Sequence, residues 1–437
     1  MNKNEILVMH SSKDWKEFRL GDLTTWASGS TPSKQNPSFW GGKIPWISGT
    51  VMRSKNLSES ELYLTEEGLE NKGKLCKKDS VLLLVRGDLF KRIPIGIATK
   101  SLSFNQDIKA INSVSNDLLQ HYLYYLLEGN KKRLSNIVEF TGLGAGKLDT
   151  KLLQDLTFKI PPIHYQKNLI KFIDSIDSKI ELKKESNKNL EEIAKALFKS
   201  WFIDFDPVNA KSEGRSTGLP DGISDLFPNS FEEVESRKIP NGWSVNSIYE
   251  LAKVIYGAPF SSKLFNNDGR GIPLVRIRDL KKGNPGFWTE EIHPNGCLIE
   301  PGDIVVGMDG EFRTYLWDNQ KCWMNQRICK FVPYERINNC FLRYSISKPL
   351  LMIERSETAT TVIHLGKSDI DSFRVIFPCQ KIQKLFGEIT EPIEKSIIRN
   401  NQETRTLNLL REILVPKLIS GELKIEDAEI MIEEVVI

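Results

Sequence analysis

The sequence predicts an α+β protein with two similar mixed α/β domains, the first and second heads, separated by two long antiparallel helices. We expect these helices to form an intramolecular coiled coil with pseudo-two-fold symmetry. Two observations predict this fold. Segments of the first half of the chain return in the second half, and a long stretch with apolar residues at heptad spacing follows each copy. A lone heptad helix would leave its seam in water, so each stretch needs the other as a partner.

The internal repeat consists of short matching segments that occur in the same order. The matched pairs are Trp15 and Trp243, Ile44-Pro45 and Ile272-Pro273, Asn105-Gln106 and Asn325-Gln326, and Gln166-Lys167 and Gln383-Lys384. Their separation falls from 228 to 217 residues along the chain, as expected when loops differ in length between diverged copies. Two similar heads suit a target with two parts, whereas an enzyme with one active site does not need a second head.

Changes of hydrophobic period, tandem prolines and glycine-rich stretches divide the chain into six segments. The apolar runs at 81–85 and 304–306 are typical of buried strands, one in each head. Residues 120–128 have the apolar spacing of a helix. We expect the first head at 1–162, the first helix at 163–202, a connector at 203–241, the second head at 242–379, the second helix at 380–420 and a partly frayed acidic tail at 421–437.

Each predicted helix has a heptad seam that is interrupted by a polar gap. Lys183 and Asn187 lie in the first gap, and Asn400 and Thr404 lie in the second. The gap either fixes the register of the pair or is a solvated midsection. Pro392 should kink or delay the second helix. The predicted seam residues are Leu169, Ile173, Ile176, Ile180, Asn187, Leu190, Leu197 and Trp201 in the first helix, and Phe386, Ile393, Ile397, Thr404, Leu407 and Leu414 in the second.

Composition and charge are typical of a globular protein. Apolar residues make up 40% of the chain and charged residues 27%, with a formal net charge of +3. Such a small charge leaves nucleic-acid binding open, because a basic surface would have to be local. No apolar run approaches the roughly 20 residues of a membrane span, and the polar N-terminus lacks the apolar core of a signal peptide. We therefore expect a cytoplasmic protein with no membrane partner.

The sequence offers no catalytic or metal-binding constellation. The six cysteines form no C-x-x-C pair, and the five histidines share no ligand-like spacing. Residues 141–147 resemble a phosphate loop, but the Walker pattern requires glycine at Thr141 and serine or threonine at Leu148. Asp204 and Asp206 are expected to form a turn and a cap after the first helix. We expect no catalytic residue and no metal site.

Several segments resemble the specificity (S or HsdS) subunits of type I restriction–modification systems. The most specific are the helix-end motifs Pro-Pro-Ile-His-Tyr-Gln-Lys at 161–167, Ala-Leu-Phe-Lys-Ser-Trp-Phe-Ile-Asp-Phe-Asp-Pro-Val at 196–208 and Pro-Lys-Leu-Ile-Ser-Gly-Glu at 416–422. Further matches lie at 29–33, 40–42, 44–47, 218–228 and 239–243. Together they cover nearly the whole chain in the family's order. The second head departs from the pattern at 257–259 and 272–275.

The resemblance implies a non-catalytic subunit that reads DNA. Each head would be a target-recognition domain for one half of a bipartite double-stranded DNA target, and the helices would set the unread gap. The implied partners are two methyltransferase (M) subunits that methylate adenine and restriction (R) subunits that cleave unmodified DNA. No cofactor is expected on this chain, whereas S-adenosylmethionine, ATP and Mg are expected on the partner subunits.

Polar and basic residues in loops beside the predicted buried strands are the candidates for DNA contact. Arginine suits bidentate recognition of guanine, and lysine suits phosphates. For each candidate the competing interpretation is a solvated surface charge, since the chain has 60 Lys and Arg. The candidates are Ser48, Thr50, Arg53, Lys55, Arg86, Lys91, Arg92 and Lys147 in the first head, and Arg276, Arg278, Lys281, Arg313, Arg327 and Lys367 in the second.

Two other functions stay open. A coiled-coil adaptor whose two heads bind proteins would share the duplicated plan, but its interaction with DNA would lack the steep salt dependence of phosphate contacts. A specificity subunit of a related restriction–methylation system outside type I would share the motifs, and only the partner's sequence would distinguish it.

Overall fold

The computed structural model describes residues 14–90, 92–140, 145–356 and 363–436. The chain forms two compact units. Unit 1 consists of Met1–Ile180 and Thr406–Ile437, and unit 2 consists of Glu181–Arg405. Each unit therefore contains one head together with part of each long helix.

The first head is a mixed α/β domain of short strands and short helices. A 3₁₀ turn at Pro37–Phe39 precedes the third strand. The elements up to the first long helix are β1 (Lys16–Arg19), α1 (Leu20–Leu23), β2 (Thr24–Ser28), β3 (Trp40–Ile47), β4 (Asn56–Leu57), β5 (Tyr63–Leu64), α2 (Glu66–Asn71), β6 (Leu75–Cys76), β7 (Val81–Leu84), β8 (Arg86–Gly87), β9 (Ile95–Ala98), β10 (Leu102–Phe104), β11 (Ile108–Ser113), α3 (Gln120–Gly129), α4 (Lys131–Ser135), β12 (Val138–Phe140), β13 (Gly146–Leu148), α5 (Thr150–Asp155), β14 (Thr157–Ile160) and α6 (Ile163–Phe202).

The sheets of the first head enclose an aliphatic core. One sheet has the strand order β2-β11-β7-β9-β4, and another has the order β5-β3-β10-β6. All four side chains of β7 are buried, so the strand predicted from the apolar run is confirmed. Helix α3 buries its leucine and tyrosine side chains in the same core, which confirms the predicted helix at 120–128.

The connector folds into short elements on the core of unit 2. These elements are α7 (Asp206–Ser212), α8 (Asp221–Ser224), β15 (Phe231–Val234) and β16 (Arg237–Pro240). Val208 and Phe227 are buried together with side chains of the second head. Asp204 pairs with Lys199, and Asp206 begins α7. Asp204 therefore lies in the turn that follows α6, as predicted, and Asp206 is the first residue of the next helix and not a side-chain cap.

The second head repeats the mixed α/β plan, and the second long helix follows it. A 3₁₀ turn at Ser262–Leu264 precedes its third strand. The elements are β17 (Ser244–Ser247), α9 (Ile248–Leu251), β18 (Ala252–Tyr256), β19 (Phe265–Asn266), β20 (Ile272–Val275), α10 (Ile277–Leu280), β21 (Phe287–Thr289), β22 (Leu298–Ile299), β23 (Ile304–Gly307), β24 (Thr314–Leu316), β25 (Cys322–Met324), β26 (Ile328–Pro333), α11 (Asn339–Ser356), α12 (Lys367–Asp371), β27 (Arg374–Phe377), α13 (Gln380–Ser420) and α14 (Ile425–Val436).

The two heads use the same central strand pairing. In the first head β3 and β10 run parallel, and Trp46 lies opposite Ser103. In the second head β20 and β25 run parallel, and Leu274 lies opposite Trp323. Parallel neighbours in otherwise antiparallel surroundings are a specific topological feature, so their recurrence shows that the sequence repeat is also a structural repeat.

A glycine beside this strand pair is required at the same place in both heads. A Cβ atom added to Gly29 would lie 2.2 Å from the carbonyl oxygen of Asn105. A Cβ atom added to Gly257 would lie 2.0 Å from the carbonyl oxygen of Asn325. Both distances are far inside van der Waals contact, so only glycine lets the backbone approach this closely.

In unit 1, the first part of α6 packs against the last part of α13. Leu169 and Ile173 share a core with Leu414 and Leu418. Tyr165 donates a hydrogen bond from its hydroxyl to the carbonyl oxygen of Leu418 at 3.1 Å. Because the start of α6 meets the end of α13, the two helices are antiparallel in this unit.

In unit 2, the second part of α6 packs against the first part of α13. The rings of Trp201 and Phe386 lie 6.0 Å apart. The side-chain amide of Asn187 donates to Asn401 at 2.7 Å and accepts from Asn400 at 2.8 Å. This pairing is also antiparallel, and polar side chains meet across it.

The predicted seam residues differ in burial. Leu169, Ile173, Ile176, Ile180, Trp201, Phe386, Ile397, Leu407 and Leu414 are buried. Asn187, Leu190, Leu197, Ile393 and Thr404 are half-buried. The half-buried seam residues thus fall between 187 and 197 in the first helix and between 393 and 404 in the second.

In the C-terminal part of the chain, the expected delay of the second helix at Pro392 and the expected fraying of the tail are wrong. Helix α13 begins at Gln380 and runs through Pro392, so this proline does not delay it. Pro392 and Glu388 are exposed, so water can solvate the Glu388 carbonyl that loses its amide partner. The acidic tail forms α14, whose Ile425 and Ala428 are buried in the core of unit 1. Among the described residues, no helix has the length and apolar content needed to cross a membrane.

Candidate nucleic-acid interface

A polar cleft of about 440 Å³ opens in the first head where the parallel strands β3 and β10 end. The amide of Asn105 donates to the carbonyl oxygen of Ile47 at 3.0 Å and holds these two strand ends together. Ser48 and Thr50, both predicted to contact DNA, line the cleft. Gln106 and Asp107 also line the cleft. Neither was among the predicted DNA contacts, although the repeated Asn-Gln pair marked the place.

The side chains in this cleft are oriented by hydrogen bonds to one another. The hydroxyls of Ser48 and Thr50 lie 2.7 Å apart. Arg53, another predicted contact, donates from Nε to the carbonyl oxygen of Thr50 at 2.9 Å. Asn105 donates to Asp107 at 3.2 Å, while its own Oδ1 is buried without a partner among the described residues. The cleft therefore offers fixed donors and acceptors, as direct readout of base edges requires.

Trp46 forms part of the cleft wall rather than an exposed platform. It is buried, and its indole nitrogen donates to the carbonyl oxygen of Ser30 at 3.1 Å. The ammonium group of Lys34 lies 5.4 Å from the Trp46 ring centroid.

A three-stranded sheet beside the cleft carries unpaired positive charge. Its strand order is β12-β13-β8, and Lys147 on β13 lies opposite Arg86 on β8. Glu139 lies opposite Lys147 on the other side. Arg86 and Arg92 are exposed. None of the three cations is in an ion pair among the described residues, so their charge is available to a phosphate backbone. Lys91 and residues 141–144 of the phosphate-loop lookalike lie outside the described residues.

Lys55, a predicted DNA contact, is half-buried in unit 1, where it pairs with carboxylates of α6. Its ammonium group lies 2.7 Å from Asp174 and 2.9 Å from Asp177, both on α6. Arg411 on α13 also pairs with Asp177 at 2.7 Å. Burial alone would raise the pKa of Asp177, but hydrogen bonds from Lys55 and Arg411 hold it below its usual value. Lys55 therefore attaches the first head to the helices, and its charge is neutralised there.

Arg276 and Arg278 occupy in the second head the positions of Ser48 and Thr50. The register is fixed by the amide of Asn325, which donates to the carbonyl oxygen of Val275 at 3.0 Å, as Asn105 does to Ile47. Arg276 donates from Nε to Asp279 at 3.0 Å, and its guanidinium lies 4.2 Å from the ring centroid of Phe287. Its side chain is therefore held in one orientation, while Arg278 is exposed.

The remaining predicted contacts of the second head are divided between paired and exposed side chains. Arg313 pairs with Glu354, and hydrogen bonds from this arginine lower the pKa of the Glu354 carboxyl. Arg327 is exposed and lies 3.8 Å from Asp309. Lys281 and Lys367 are exposed at the surface. Arg313 is therefore the least available of these four cations.

Corresponding positions in the two heads carry exchanged charges. The carbonyl oxygen of Asp107 accepts from Val85 at 2.8 Å, and that of Arg327 accepts from Met308 at 2.9 Å. The backbones of the two heads therefore match at these hydrogen bonds. The residue after the donor Val85 is Arg86, and the residue after the donor Met308 is Asp309.

A second backbone match completes this comparison. Leu148 donates to Val85 at 2.8 Å, and Leu365 donates to Met308 at 2.8 Å, so Lys147 corresponds to His364. His364 lies 2.6 Å from Asp309 through Nδ1. Neither Asp309 nor His364 was among the predicted DNA contacts, and only the falling offset of the repeat could have paired them with Arg86 and Lys147. The two heads therefore carry different charged and polar side chains at matching positions of the same backbone framework.

The duplicated framework defines a class of protein with two recognition heads, and comparisons give its family. The profile described as "Type I restriction modification DNA specificity domain" matches residues 12–192 and 240–409. The chain belongs to this family of specificity subunits. It contributes DNA specificity to a type I restriction–modification system and is not itself an enzyme.

Individual relatives span the whole chain. The MjaIX specificity subunit of Methanocaldococcus jannaschii is 27% identical and covers 95% of this chain and 95% of its own length. The HindI specificity subunit of Haemophilus influenzae is 24% identical, over 94% of this chain and 100% of its own. The crystal structure of the S subunit from M. genitalium has a TM-score of 0.54 at 14% identity and covers 96% of this chain and 98% of its own, which shows a shared fold.

Proposed function

We propose that this chain reads a bipartite double-stranded DNA target, with each head reading one half. The observation that carries this proposal is the pair of matching backbone frameworks with different side chains. Ser48 and Thr50 are replaced by Arg276 and Arg278, and Arg86 is replaced by Asp309. A shared scaffold with altered hydrogen-bonding groups is what two different half-sites require, because each base pair presents its own donor and acceptor pattern in the major groove.

The candidate DNA contacts fall into two groups by availability. Ser48, Thr50 and Asp107 supply fixed donors and acceptors at the cleft, and Arg276 supplies an oriented guanidinium at the matching place. Positioning on phosphates is assigned to the exposed or half-buried cations without a close partner. These are Arg86, Arg92, Lys147, Arg278, Lys281 and Lys367. Arg327, which is exposed and 3.8 Å from Asp309, and Lys91, on its sequence alone, are retained with them.

The subunit is proposed to act by placing catalytic partners on the DNA. Two methyltransferase subunits would methylate adenine with S-adenosylmethionine, and restriction subunits would cleave unmodified DNA with ATP and Mg, all bound on the partners. The support is family membership together with the duplication, since two equivalent heads and two equivalent helix segments offer two equivalent attachment sites. The proposed location is the cytoplasm, where the host DNA is.

A methylation assay with and without this chain tests the function. The methyltransferase subunits should methylate adenine at a defined bipartite site only when this chain is present. Binding of the assembled complex should weaken steeply with salt, roughly tenfold or more for a few-fold rise in ionic strength. Methylation of the same site by the methyltransferase alone would refute the proposal. DNA affinity that does not change with salt would favour a protein-binding adaptor.

A further inference from the structure

Two phenylalanines are exposed together on the basic sheet of the first head. Phe90 is 77% exposed, and Phe140 is 51% exposed. Their ring centroids lie 5.8 Å apart, with the ring planes at 71°. Phe90 is the most exposed aromatic side chain in the described part of the chain. Such a pair is unfavourable in water, and it is expected where a partner covers it.

The charge around this pair indicates which partner. Residues 86–92 contain Arg86, Lys91 and Arg92 against a single carboxylate, Asp88. Phe140 on β12 lies opposite Gly146 on β13, and the next residue of β13, Lys147, lies opposite Arg86 on β8. Glu139 is the other acidic residue on these strands. Apolar rings on the same sheet as cations that make no ion pair among the described residues match the bases and phosphates of a nucleic acid better than they match an acidic or apolar protein surface.

The second head lacks this feature in its described residues, although it has an aromatic residue in the same loop. Counting on from the match of Val85 with Met308, Arg313 stands at the position of Phe90, and Phe312 stands at the position of Leu89. Phe312 is buried in the core of unit 2, at 1% exposure, as Leu89 is buried in the core of unit 1. The amide of Phe312 donates to Glu354 at 3.0 Å. The exposed pair is therefore specific to the first head and is not a consequence of the shared fold.

We propose that Phe90 and Phe140 form an aromatic wedge that inserts between base pairs of the DNA half-site bound by the first head. This inference rests on the proposed DNA-reading function. Arg86, Arg92 and Lys147 would hold the flanking phosphates while the rings are buried against the bases. Insertion of apolar side chains into a base step unstacks it and bends the duplex, so the first half-site would be distorted and the second would not be distorted in this way.

The experiment compares wild type with the double variant Phe90→Ala/Phe140→Ala in the complete complex with its methyltransferase subunits. DNA affinity should fall by about tenfold or more, since stacking of one base on an aromatic ring is worth roughly that on alanine substitution. The dependence of affinity on salt should stay the same, because no phosphate contact is lost. Arg86→Ala should instead reduce the slope of log affinity against log salt by about one.

A fluorescent base locates the wedge. Duplexes with 2-aminopurine at successive positions of the first half-site should show increased fluorescence at the wedged step with wild type and none there with the double variant. The increased fluorescence of a 2-aminopurine at the target adenine, which the methyltransferase takes out of the base stack, should persist with both wild type and the double variant. Val114→Ala, which alters a side chain 63% exposed outside the sheet in the same head, should behave as wild type, and Phe90→Tyr/Phe140→Tyr should retain the signal.

Three outcomes would overturn the wedge. The double variant could bind and unstack DNA as wild type does. It could lose its methyltransferase subunits in pull-down while the assembled fraction binds DNA normally, which would show that the rings face protein. Absence of sequence-specific binding by the wild-type complex would refute the proposed function itself and the wedge with it, and this result is recognisable because it needs no variant.

Discussion

Single charged residues attach the second head to both long helices. Arg343 on α11 is buried and donates to Glu191 of α6 at 3.0 Å. Its Nε lies 3.3 Å from Glu394 of α13, in an ion pair whose geometry makes no hydrogen bond. Tyr344 donates to Glu191 at 2.8 Å. Burial raises the pKa of Glu394 even though Arg343 is adjacent.

Loss of Arg343 should be far more damaging than loss of the charge on Glu394. Arg343→Ala leaves two carboxylates without their counter-charge, so the free energy of unfolding should fall by about 3 kcal/mol or more. Glu394→Gln should change stability little near neutral pH. Because the folded pKa of Glu394 is raised, its contribution favours folding at acidic pH and declines as pH rises through that pKa.

Urea unfolding at several pH values between about 4 and 8 checks this pair of predictions. The free energy of unfolding of the wild type should decline with rising pH because of Glu394. Glu394→Gln should not show this part of the decline. A larger destabilisation by Glu394→Gln than by Arg343→Ala at neutral pH would contradict the proposed balance of burial and charge.

The sequence indicated which residues are cations but not which of them are neutralised. Lys55 finds its carboxylates 119 and 122 residues away, and Arg313 finds Glu354 41 residues away. Nothing in the local sequence of either cation differs from that of an exposed one such as Arg92. The fold must be known before a loop cation can be assigned to the interior or to a ligand.

At the scale of elements, the long helices were predictable because their hydrophobic period extends over many turns. The structure also distinguishes the two interpretations of the polar gap. Lys183 pairs with Glu403, and Asn187 bonds to Asn400 and Asn401. The gap is therefore a hydrogen-bonded layer rather than a solvated midsection. The loops of the heads were not predictable in this way, because their order depends on contacts between distant segments.

Replacing one asparagine of this layer should lower the free energy of unfolding, whereas replacing two that bond to each other should raise it. Asn187→Leu alone removes the partner of two other asparagines, and the unpaired amides should lower the free energy of unfolding by about 1 kcal/mol. Asn187→Leu/Asn400→Leu replaces the central pair by an apolar one and should raise that energy by about 1 kcal/mol relative to wild type.

Thermal or urea unfolding of the two variants measures these effects. Cross-linking through cysteines placed on the two helices would show whether the double variant has lost its unique register, which is the expected cost. A single variant as stable as the double one would show that the amide bonds contribute nothing.

At the scale of the whole molecule, duplication separates the scaffold from specificity. Glycines 29 and 257 and the parallel strand pairs are common to both heads. The side chains at the strand ends differ. Under the proposed function, the half-sites should therefore be exchangeable one at a time.

Replacing residues 15–160 with the corresponding segment of another specificity subunit should change one half of the methylated sequence and leave the other half intact. The graft should keep a cation at the position of Lys55, because Asp174 and Asp177 of α6 would otherwise be left without it. Mapping methylated adenines in the host genome gives the result. Replacing residues 242–378 is the matched control, and it should change only the other half. A change in both halves after either graft would contradict independent reading.

Unit 1 is assembled from the two ends of the chain, and this has a consequence for biosynthesis. Leu407, Leu414, Leu418 and Ile425 are part of the same core as the first head, so a ribosome must synthesise the chain beyond these residues before that core can close. Unit 2 is continuous from Glu181 to Arg405 and can close earlier. The nascent chain is therefore expected to reverse the usual N-terminal-first order of folding, and its earliest-made domain should be the last to become protected from proteases.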